Sequence, residues 1–145
     1  MATLDGITES GHALTISVTD AVVVASDLND LNDKTLVALE VISSTTIAGS
    51  AADITSVYDA NAAGQTYGLG NEDLIITDLT ISASSLNTLN TNTTGTLKAL
   101  TVTSITGSTA DINTIYAANN AGQITGLGDE AVTITDTTVD AALLI

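Results

Sequence analysis

The side chains of this 145-residue chain that could do chemistry are mainly acidic, and they recur at fixed positions. Aspartates end three of the predicted strands, and glutamates precede two of them. A calcium ion is held by several carboxylate and carbonyl oxygens that converge on one point. The candidate metal ligands are therefore Asp20, Asp78, Asp136, Glu72 and Glu130.

Glycine-rich segments at 68–73 and 126–130 accompany the two glutamates. They are similar to calcium-binding nonapeptide repeats, but they lack the Gly-Gly-x-Gly-x-Asp spacing of those repeats. In addition, Ala131 follows the second segment at the position that Asp73 occupies in the first. An aspartate at a turn or at a helix start also has a purely structural role. Calcium is therefore an alternative rather than an expected cofactor, and no other cofactor is expected.

A column of hydroxyl side chains forms a second candidate surface. If the strands stack, one threonine recurs on each of them, at Thr19, Thr45, Thr77, Thr103 and Thr135. A flat threonine array could match a periodic surface such as ice, although Ile75 interrupts the neighbouring column. Threonine is also a good solvent-facing strand residue that hydrogen-bonds across strands. The column is therefore explained without a ligand as well as with one.

Groups suited to catalysis are few. His12 is the single histidine, which we expect to be solvated, and cysteine is absent from the sequence. A pair of carboxylates can hydrolyse a glycosidic bond. Sugar-binding surfaces usually present aromatic platforms, however, and only Tyr58, Tyr67 and Tyr116 are available. We expect no enzymatic activity.

The charge balance limits the possible partners. Seventeen acidic residues against two lysines give a net charge of −15, whereas nucleic-acid binding requires clustered Lys and Arg. Anionic membrane surfaces are disfavoured for the same reason, and no apolar run reaches the roughly 18 residues of a membrane span. Strong acidity keeps a secreted protein soluble in high salt. We expect neither nucleic-acid binding nor membrane insertion, and an extracellular location fits the composition.

A long internal repeat organises the chain. The sequence GSAADITSVY at 49–58 returns without a gap as GSTADINTIY at 107–116. Repeats of this kind are stacked supersecondary units that do not fold alone, so we expect one domain. Its predicted parts are an N-terminal lead-in at 1–12, a first repeat at 13–70, a second repeat at 71–128 and the start of a truncated third repeat at 129–145.

Each repeat divides into two half-repeats, because one aliphatic column recurs at alternating short and long intervals. This column contains Ile16, Ile42, Leu74, Leu100 and Val132. Alternating apolar and hydroxyl residues predict five strands. The predicted strands lie near 14–19, 42–47, 74–79, 100–105 and 132–137.

Helices are predicted between these strands. Ser-x-x-Asp sequences that begin at Ser50 and Ser108 are typical of capped helix starts, and Gly64 and Gly122 are suitable stop signals. Shorter helices are expected from Ser26 and Ser84, with Leu28 and Leu86 on their buried faces. The predicted fold is an α/β solenoid whose stacked strand–helix coils form one parallel β-sheet, with a right-handed β-helix as the alternative.

The repeats also resemble a known type of protein. The segments ASSLNTLNTNTTG at 83–95, ITGSTADINTIY at 105–116 and GLGDEAVTITD at 126–136 are similar to repeats of very large secreted proteins of marine cyanobacteria. Those proteins resemble cell-surface and adhesin-like giants, some of them associated with swimming motility. The resemblance covers residues 13–145, apart from the turn at 34–37, and it implies a location and a broad role without catalytic residues.

Two classes of function follow from these observations. The favoured one is a structural or adhesive repeat of a large extracellular cell-surface protein, acting as a spacer or surface-layer element. Its expected partners are neighbouring repeats of the same protein, with end-to-end self-association. The alternative is a ligand-binding solenoid that recognises calcium, ice or a glycan through its repeated threonine and aspartate faces.

Overall fold

The computed structural model describes residues 11–138, in which short β-strands alternate with helices. The predicted lead-in at 1–12 and third repeat at 129–145 therefore lie partly outside the described residues. The helices are α1 (Ala25–Lys34), α2 (Ala51–Ala62), α3 (Ala83–Asn92) and α4 (Thr109–Asn120). None of these helices is long and apolar enough to cross a membrane.

All pairings between the strands are parallel, as predicted. The first five strands are β1 (Val22–Val24), β2 (Leu39–Glu40), β3 (Thr46–Gly49), β4 (Thr66–Tyr67) and β5 (Asp73–Ile76). The next five are β6 (Thr80–Ser82), β7 (Leu97–Lys98), β8 (Ser104–Gly107), β9 (Ile124–Thr125) and β10 (Ala131–Ile134). Each strand from β6 to β10 occupies the same position of the sequence repeat as its counterpart from β1 to β5. The repeat of the sequence is thus a repeat of the fold, and its helices exclude the all-β alternative. We call the residues from β1 to β5 the first structural repeat and those from β6 to β10 the second, so Glu72 and β5 belong to the first and β7 to the second.

Within residues 11–138 the strands form three sheets, so the prediction of a single sheet is wrong. The orders are β1-β3-β5-β7-β9, β10-β8-β6 and β2-β4. Val22 pairs with Thr46, and Thr46 pairs with Asp73. The segment from Asp73 to Thr80 then completes the repeat and leads the chain to β6, which begins another sheet. The paired strands follow one another at alternating shorter and longer intervals, as predicted, but the predicted intervals are too long because they counted this segment as part of a coil.

The predicted strand positions are correct only in part. The ranges 42–47, 74–79, 100–105 and 132–137 overlap β3, β5, β8 and β10, whereas 14–19 contains one isolated bridge, from Ser17 to Glu40. Ile42 and Leu100, which belong to the predicted buried column, are 64% and 75% exposed. They lie between a two-residue strand and the strand that follows it, a connection too short to show a sequence period.

The predicted helix starts and stops are confirmed. Ser50 and Ser108 cap α2 and α4, and their hydroxyls accept hydrogen bonds from the amides of Asp53 and Asp111, both at 3.1 Å. Gly64, with a φ of 74°, follows the end of α2 in the left-handed conformation that glycine adopts freely. The shorter helices begin at Ala25 and Ala83, one residue before the predicted serines.

The core lies between helices and strands and is almost wholly aliphatic. Leu28 and Leu86 are buried, as predicted. Neighbouring helices are also tied by polar contacts: the Asn29 amide donates to the Asp53 carbonyl (3.1 Å), and Asn87 donates to the Asp111 carbonyl (3.3 Å). Fully buried large side chains are Leu28, Leu39, Ile47, Ile54, Leu74, Ile76, Leu86, Leu89, Leu97, Ile105, Ile115 and Ile124.

Candidate functional site

Two of the candidate aspartates cap helices that lie earlier in the chain. Asp78 accepts a hydrogen bond from the first amide of α2, at Ala51 (2.7 Å). Asp136 accepts from both the amide and the hydroxyl of Thr109 at the start of α4 (2.6 Å each). A carboxylate is stabilised at a helix N-terminus, where backbone amides lack partners within the helix. These bonds lower the pKa of Asp136, and they favour the structural role of the aspartates.

Glu72 is fully buried and makes polar contacts on two sides. Its carboxylate accepts a hydrogen bond from the Tyr58 hydroxyl (2.8 Å) and from the Gly70 amide (2.9 Å). Its own backbone carbonyl accepts from the Thr93 hydroxyl (2.6 Å) in the following repeat. We call Tyr58, Gly70, Glu72 and Thr93 the glutamate junction, since these residues connect one helix, one loop and two repeats.

The second repeat builds the same cluster. Glu130 accepts from the Tyr116 hydroxyl (2.9 Å) and from the Gly128 amide (2.8 Å). Unlike Glu72, however, Glu130 is partly exposed. The second cluster therefore reproduces the tyrosine, glutamate and glycine of the first, but at the outer end of the described strands.

Local sequence explains how the junction forms. Tyr58 follows Ile54 by one helical turn, so both lie on the buried face of α2. The chain then turns back through Gly68 and Gly70, whose φ angles of 94° and 133° disfavour residues with a side chain. Glu72 follows immediately and reaches the tyrosine from the strand side. Burial, together with the hydrogen bond to Glu72, raises the pKa of Tyr58, and the equivalent effects raise the pKa of Tyr116 to about 12.

Residues 11–138 contain no group of three or more histidine, aspartate or glutamate side chains that could hold a metal ion. The five calcium candidates are instead dispersed along the repeats, and four of them bind helix N-termini, tyrosines or loop amides. The remaining one, Asp20, is half-buried, and its carbonyl accepts from Ser44 (2.8 Å). The arrangement provides carboxylates that hold the fold together rather than a calcium cage.

The predicted threonine column is not assembled. Thr19, Thr45, Thr77, Thr103 and Thr135 are all exposed. The register places Thr45 beside Ala21 and Thr103 beside Leu79, and the threonine hydroxyls donate to those carbonyls (3.2 and 3.1 Å). Because the strands pair at shorter intervals than those between the threonines, the threonines do not lie side by side.

His12 is half-buried, whereas the sequence predicted a solvated side chain. Its Nε2 atom is buried and finds no hydrogen-bond partner within residues 11–138. The residue pairs with Thr35 in an isolated parallel bridge, so the backbone at residue 12 lies beside the residue that follows α1.

One ion pair that no sequence pattern predicts strengthens the contact between repeats. The Lys98 ammonium lies 2.8 Å from the Asp73 carboxylate, which also accepts from the Thr96 amide (2.9 Å). The lysine, with help from that amide, lowers the pKa of Asp73. The pair connects β5 of the first repeat with β7 of the second.

Residues 70–76 lie against residues 93–98, a contact that we call the internal contact. Two of its hydrogen bonds also occur at equivalent positions earlier in the chain. At the internal contact, the Thr93 hydroxyl donates to the carbonyl of residue 72 (2.6 Å) and the Thr94 amide to that of residue 70 (2.9 Å). At the equivalent positions of the first repeat, the Thr35 hydroxyl donates to the carbonyl of residue 14 (2.6 Å) and the Leu36 amide to that of residue 12 (2.8 Å). Residues 12–18 thus lie against residues 35–40 in the same way that residues 70–76 lie against residues 93–98.

We expect Tyr58→Phe to lower the free energy of unfolding by about 2 kcal/mol, because a fully buried carboxylate loses a donor that water cannot replace. Tyr116→Phe should cost about 1 kcal/mol or less, since water can reach the partly exposed Glu130. Urea unfolding followed by circular dichroism measures both values. Equal losses for the two variants would contradict the assigned difference in burial.

We expect the contribution of the Asp73–Lys98 pair to vanish in acid. The folded state lowers the pKa of Asp73 below its ordinary 3.8, so the unfolded chain binds the proton more readily. The contribution is therefore present above pH 3.8 and is lost as the pH falls through the lowered folded value. The difference in urea midpoint between the parent chain and Asp73→Asn should be constant near neutrality and shrink below about pH 4. Asp59→Asn, on the exposed side of α2, controls for net charge, and a pH-independent difference for Asp73→Asn would contradict the assignment.

The carboxylates, tyrosines and glycines of these clusters connect helices, loops and strands of the fold. Sequence reasoning identified Glu72 and Glu130 as candidate calcium ligands, and it did not connect them with Tyr58 and Tyr116. A signal was present, since each tyrosine precedes its glutamate by the same interval of 14 residues in both repeats. No protein-family model, curated protein or solved structure matches this chain.

Proposed function

We propose that this chain is a structural repeat module of a large extracellular cell-surface protein, in which it acts as a spacer or as an adhesive or surface-layer element without catalysis. The observation that carries the proposal is the recurrence of the same two hydrogen bonds, one from a threonine hydroxyl and one from the following amide, at residues 12–40 and 70–98. If the same contact recurs in every repeat, each added repeat can stack on the one before it and lengthen the protein. Length, rather than a pocket, is the property that such a contact provides.

In this proposal the strands and helices are successive coils of an α/β solenoid. It is supported by the parallel pairing of β3 with β1 and with β5, and by contacts between each helix and the next. Each coil buries the aliphatic face of its neighbour, which no coil could do alone. The natural partners are then neighbouring repeats of the same protein.

The extracellular location is supported by the net charge of −15 and by the resemblance to repeats of giant secreted cyanobacterial proteins. A strongly acidic surface stays soluble in high salt, where screening weakens its self-repulsion.

The test uses cells that produce the parent protein. An antibody raised against this chain should label intact cells, and removal of residues 71–128 from the parent protein should shorten the distance between label and cell surface without reducing the amount of label. A label found only after the cells are permeabilised would refute the location. An unchanged distance would refute the spacer role.

A further inference from the structure

Within residues 11–138, no strand pairs with the outer edge of β10, whereas the equivalent edge of β5 is covered. β10 is equivalent to β5, which pairs with β3 on one side and with β7 on the other. Within the described part of the chain, β10 pairs with β8 alone. An open parallel edge presents amides and carbonyls that another strand can pair with.

The side chains of β10 show the same difference. Val132 is 40% exposed, whereas its equivalent Leu74 is fully buried. Ile134 is partly exposed, whereas Ile76 is fully buried. These positions are apolar in both strands, so β10 carries side chains suited to a covered strand.

The backbone of β10 is also oriented for pairing. The amides of Ala131 and Thr135 donate to the β8 side, at Thr103 and Gly107. Amides alternate in direction along a strand, so the Val132 amide faces the open edge. In β5 the equivalent amide, that of Leu74, donates to Thr96 across the contact with β7.

The complementary edge lies at the other end of the chain and is held more weakly. Residues 12–18 cover residues 35–40 through isolated bridges rather than through a strand. The ion pair of the internal contact is missing there, because Thr15 and Glu40 stand at the positions equivalent to Asp73 and Lys98. Segment 12–18 is therefore the more easily displaced of the two covering segments.

The chemistry of the two ends matches. Ser17 donates a hydrogen bond to the Glu40 carboxylate, and the residue of β10 at the position of Ser17 is Thr133, another hydroxyl donor. Ala131 stands where Asp73 stands in β5, so β10 brings no carboxylate against Glu40. β5, by contrast, has an aspartate there that is neutralised by Lys98.

We propose that β10 docks head to tail onto residues 35–40 of a second copy of this chain and replaces residues 12–18 of that copy. The joint reproduces the internal contact between repeats, with the Thr133 hydroxyl on Glu40 in place of the Asp73–Lys98 pair. The inference rests on the proposed function, because it names the surface through which one repeat meets the next.

A register-specific cross-link tests this joint in full-length chains. The sequence has no cysteine, so Asp129→Cys in one chain and Leu36→Cys in another introduce single thiols. In the proposed register these exposed positions oppose each other, as 71 opposes 94 at the internal contact. The matched control pairs Asp129→Cys with Thr94→Cys, the position equivalent to Leu36, where the covering segment 70–76 is held in addition by the Asp73–Lys98 ion pair.

Oxidation of the first mixture should give disulfide-linked dimers whose yield rises with protein concentration, at about tenfold the yield of the control mixture. Val132→Pro in the Asp129→Cys chain should abolish this excess, because it removes the amide that faces the open edge and spares those bonded to β8. Thr133→Val, which keeps the strand but removes the hydroxyl donor, should reduce the yield about threefold. Circular dichroism verifies that each variant is folded.

Equal yields in the two mixtures, an absence of cross-linked dimer, or a yield that Thr133→Val and a folded Val132→Pro leave unchanged would overturn the proposed joint. The proposed function is tested separately, on repeats joined within one chain. If the spacer test succeeds and this cross-link fails, repeats stack only within a chain and do not join separate chains.

Discussion

Replacement of Gly95 by alanine should destabilise the chain by about 3 kcal/mol. A Cβ at this position would lie 2.6 Å from the carbonyl carbon of Glu72 and 2.9 Å from the amide nitrogen of Asp73. Both are backbone atoms at the point where β5 begins, so the neighbour cannot move aside as a flexible side chain would. The two repeats would have to separate at their contact. Urea unfolding measures the loss.

The matched control for this variant is Val37→Ala. Val37 occupies the position of Gly95 at the contact with residues 12–18, and it already carries a side chain that is 37% exposed. We expect Val37→Ala to cost less than about 1 kcal/mol. A Gly95→Ala variant as stable as the parent chain would show that the repeats do not approach as closely as the structure places them.

Ile76→Ala should cost about 3 kcal/mol, because it empties space in the core between β5 and the flanking elements. Ile76 is fully buried. The same substitution at the equivalent position of β10, Ile134→Ala, should cost about 1 kcal/mol, because that side chain is partly exposed. The two variants remove the same atoms from the same position of the repeat, so the difference between them reports only the cover that the next repeat supplies.

Unfolding at low protein concentration, where chains do not associate, gives the intrinsic difference between these variants. Ile47→Ala and Ile105→Ala serve as an internal control, since both residues are fully buried and occupy equivalent positions of β3 and β8. They should cost similar amounts. Similar costs for Ile76→Ala and Ile134→Ala would contradict the open edge at β10.

The helices could be predicted from the sequence because their signals are local. Ser50 and Asp53 lie within one turn, and the cap that they form depends on no distant residue. Gly64 ends α2 for an equally local reason, since the left-handed conformation after a helix favours glycine. The long repeat was equally evident, because it requires only that the chain be compared with itself.

The sheets could be predicted only in part because their register is set by distant contacts. Two-residue strands such as β2 and β7 are too short to show an alternation of apolar and polar side chains, and they were missed. The segment from Asp73 to Thr80 looks like part of a coil in the sequence, yet it leads the chain into another sheet. That error placed Ile42 and Leu100 in the core and aligned the threonines in one column.

The glutamate junction shows the same limit. Glu72 was identified from its recurrence, but its role depends on Tyr58, which a helix end and a glycine loop bring back to it. Recurrence indicates that a residue matters to the repeat, and it does not distinguish a metal ligand from a hydrogen-bond acceptor. The constant spacing between tyrosine and glutamate is the feature that indicates a contact within one repeat.

The central claim, that each repeat stacks on the next through the contact between β5 and β7, is tested most directly by the length of tandem chains. Small-angle X-ray scattering would be recorded on chains with two, four and six copies of residues 71–128 inserted in tandem after residue 70. Each copy adds two strand pairings, so stacked copies should lengthen the particle by about 10 Å each. Independent globular units would add about 25 Å each when extended, and unfolded copies would give a length that rises with the square root of their number. Constant increments of the smaller size are the expected result, and either of the other two dependences would contradict the stacking.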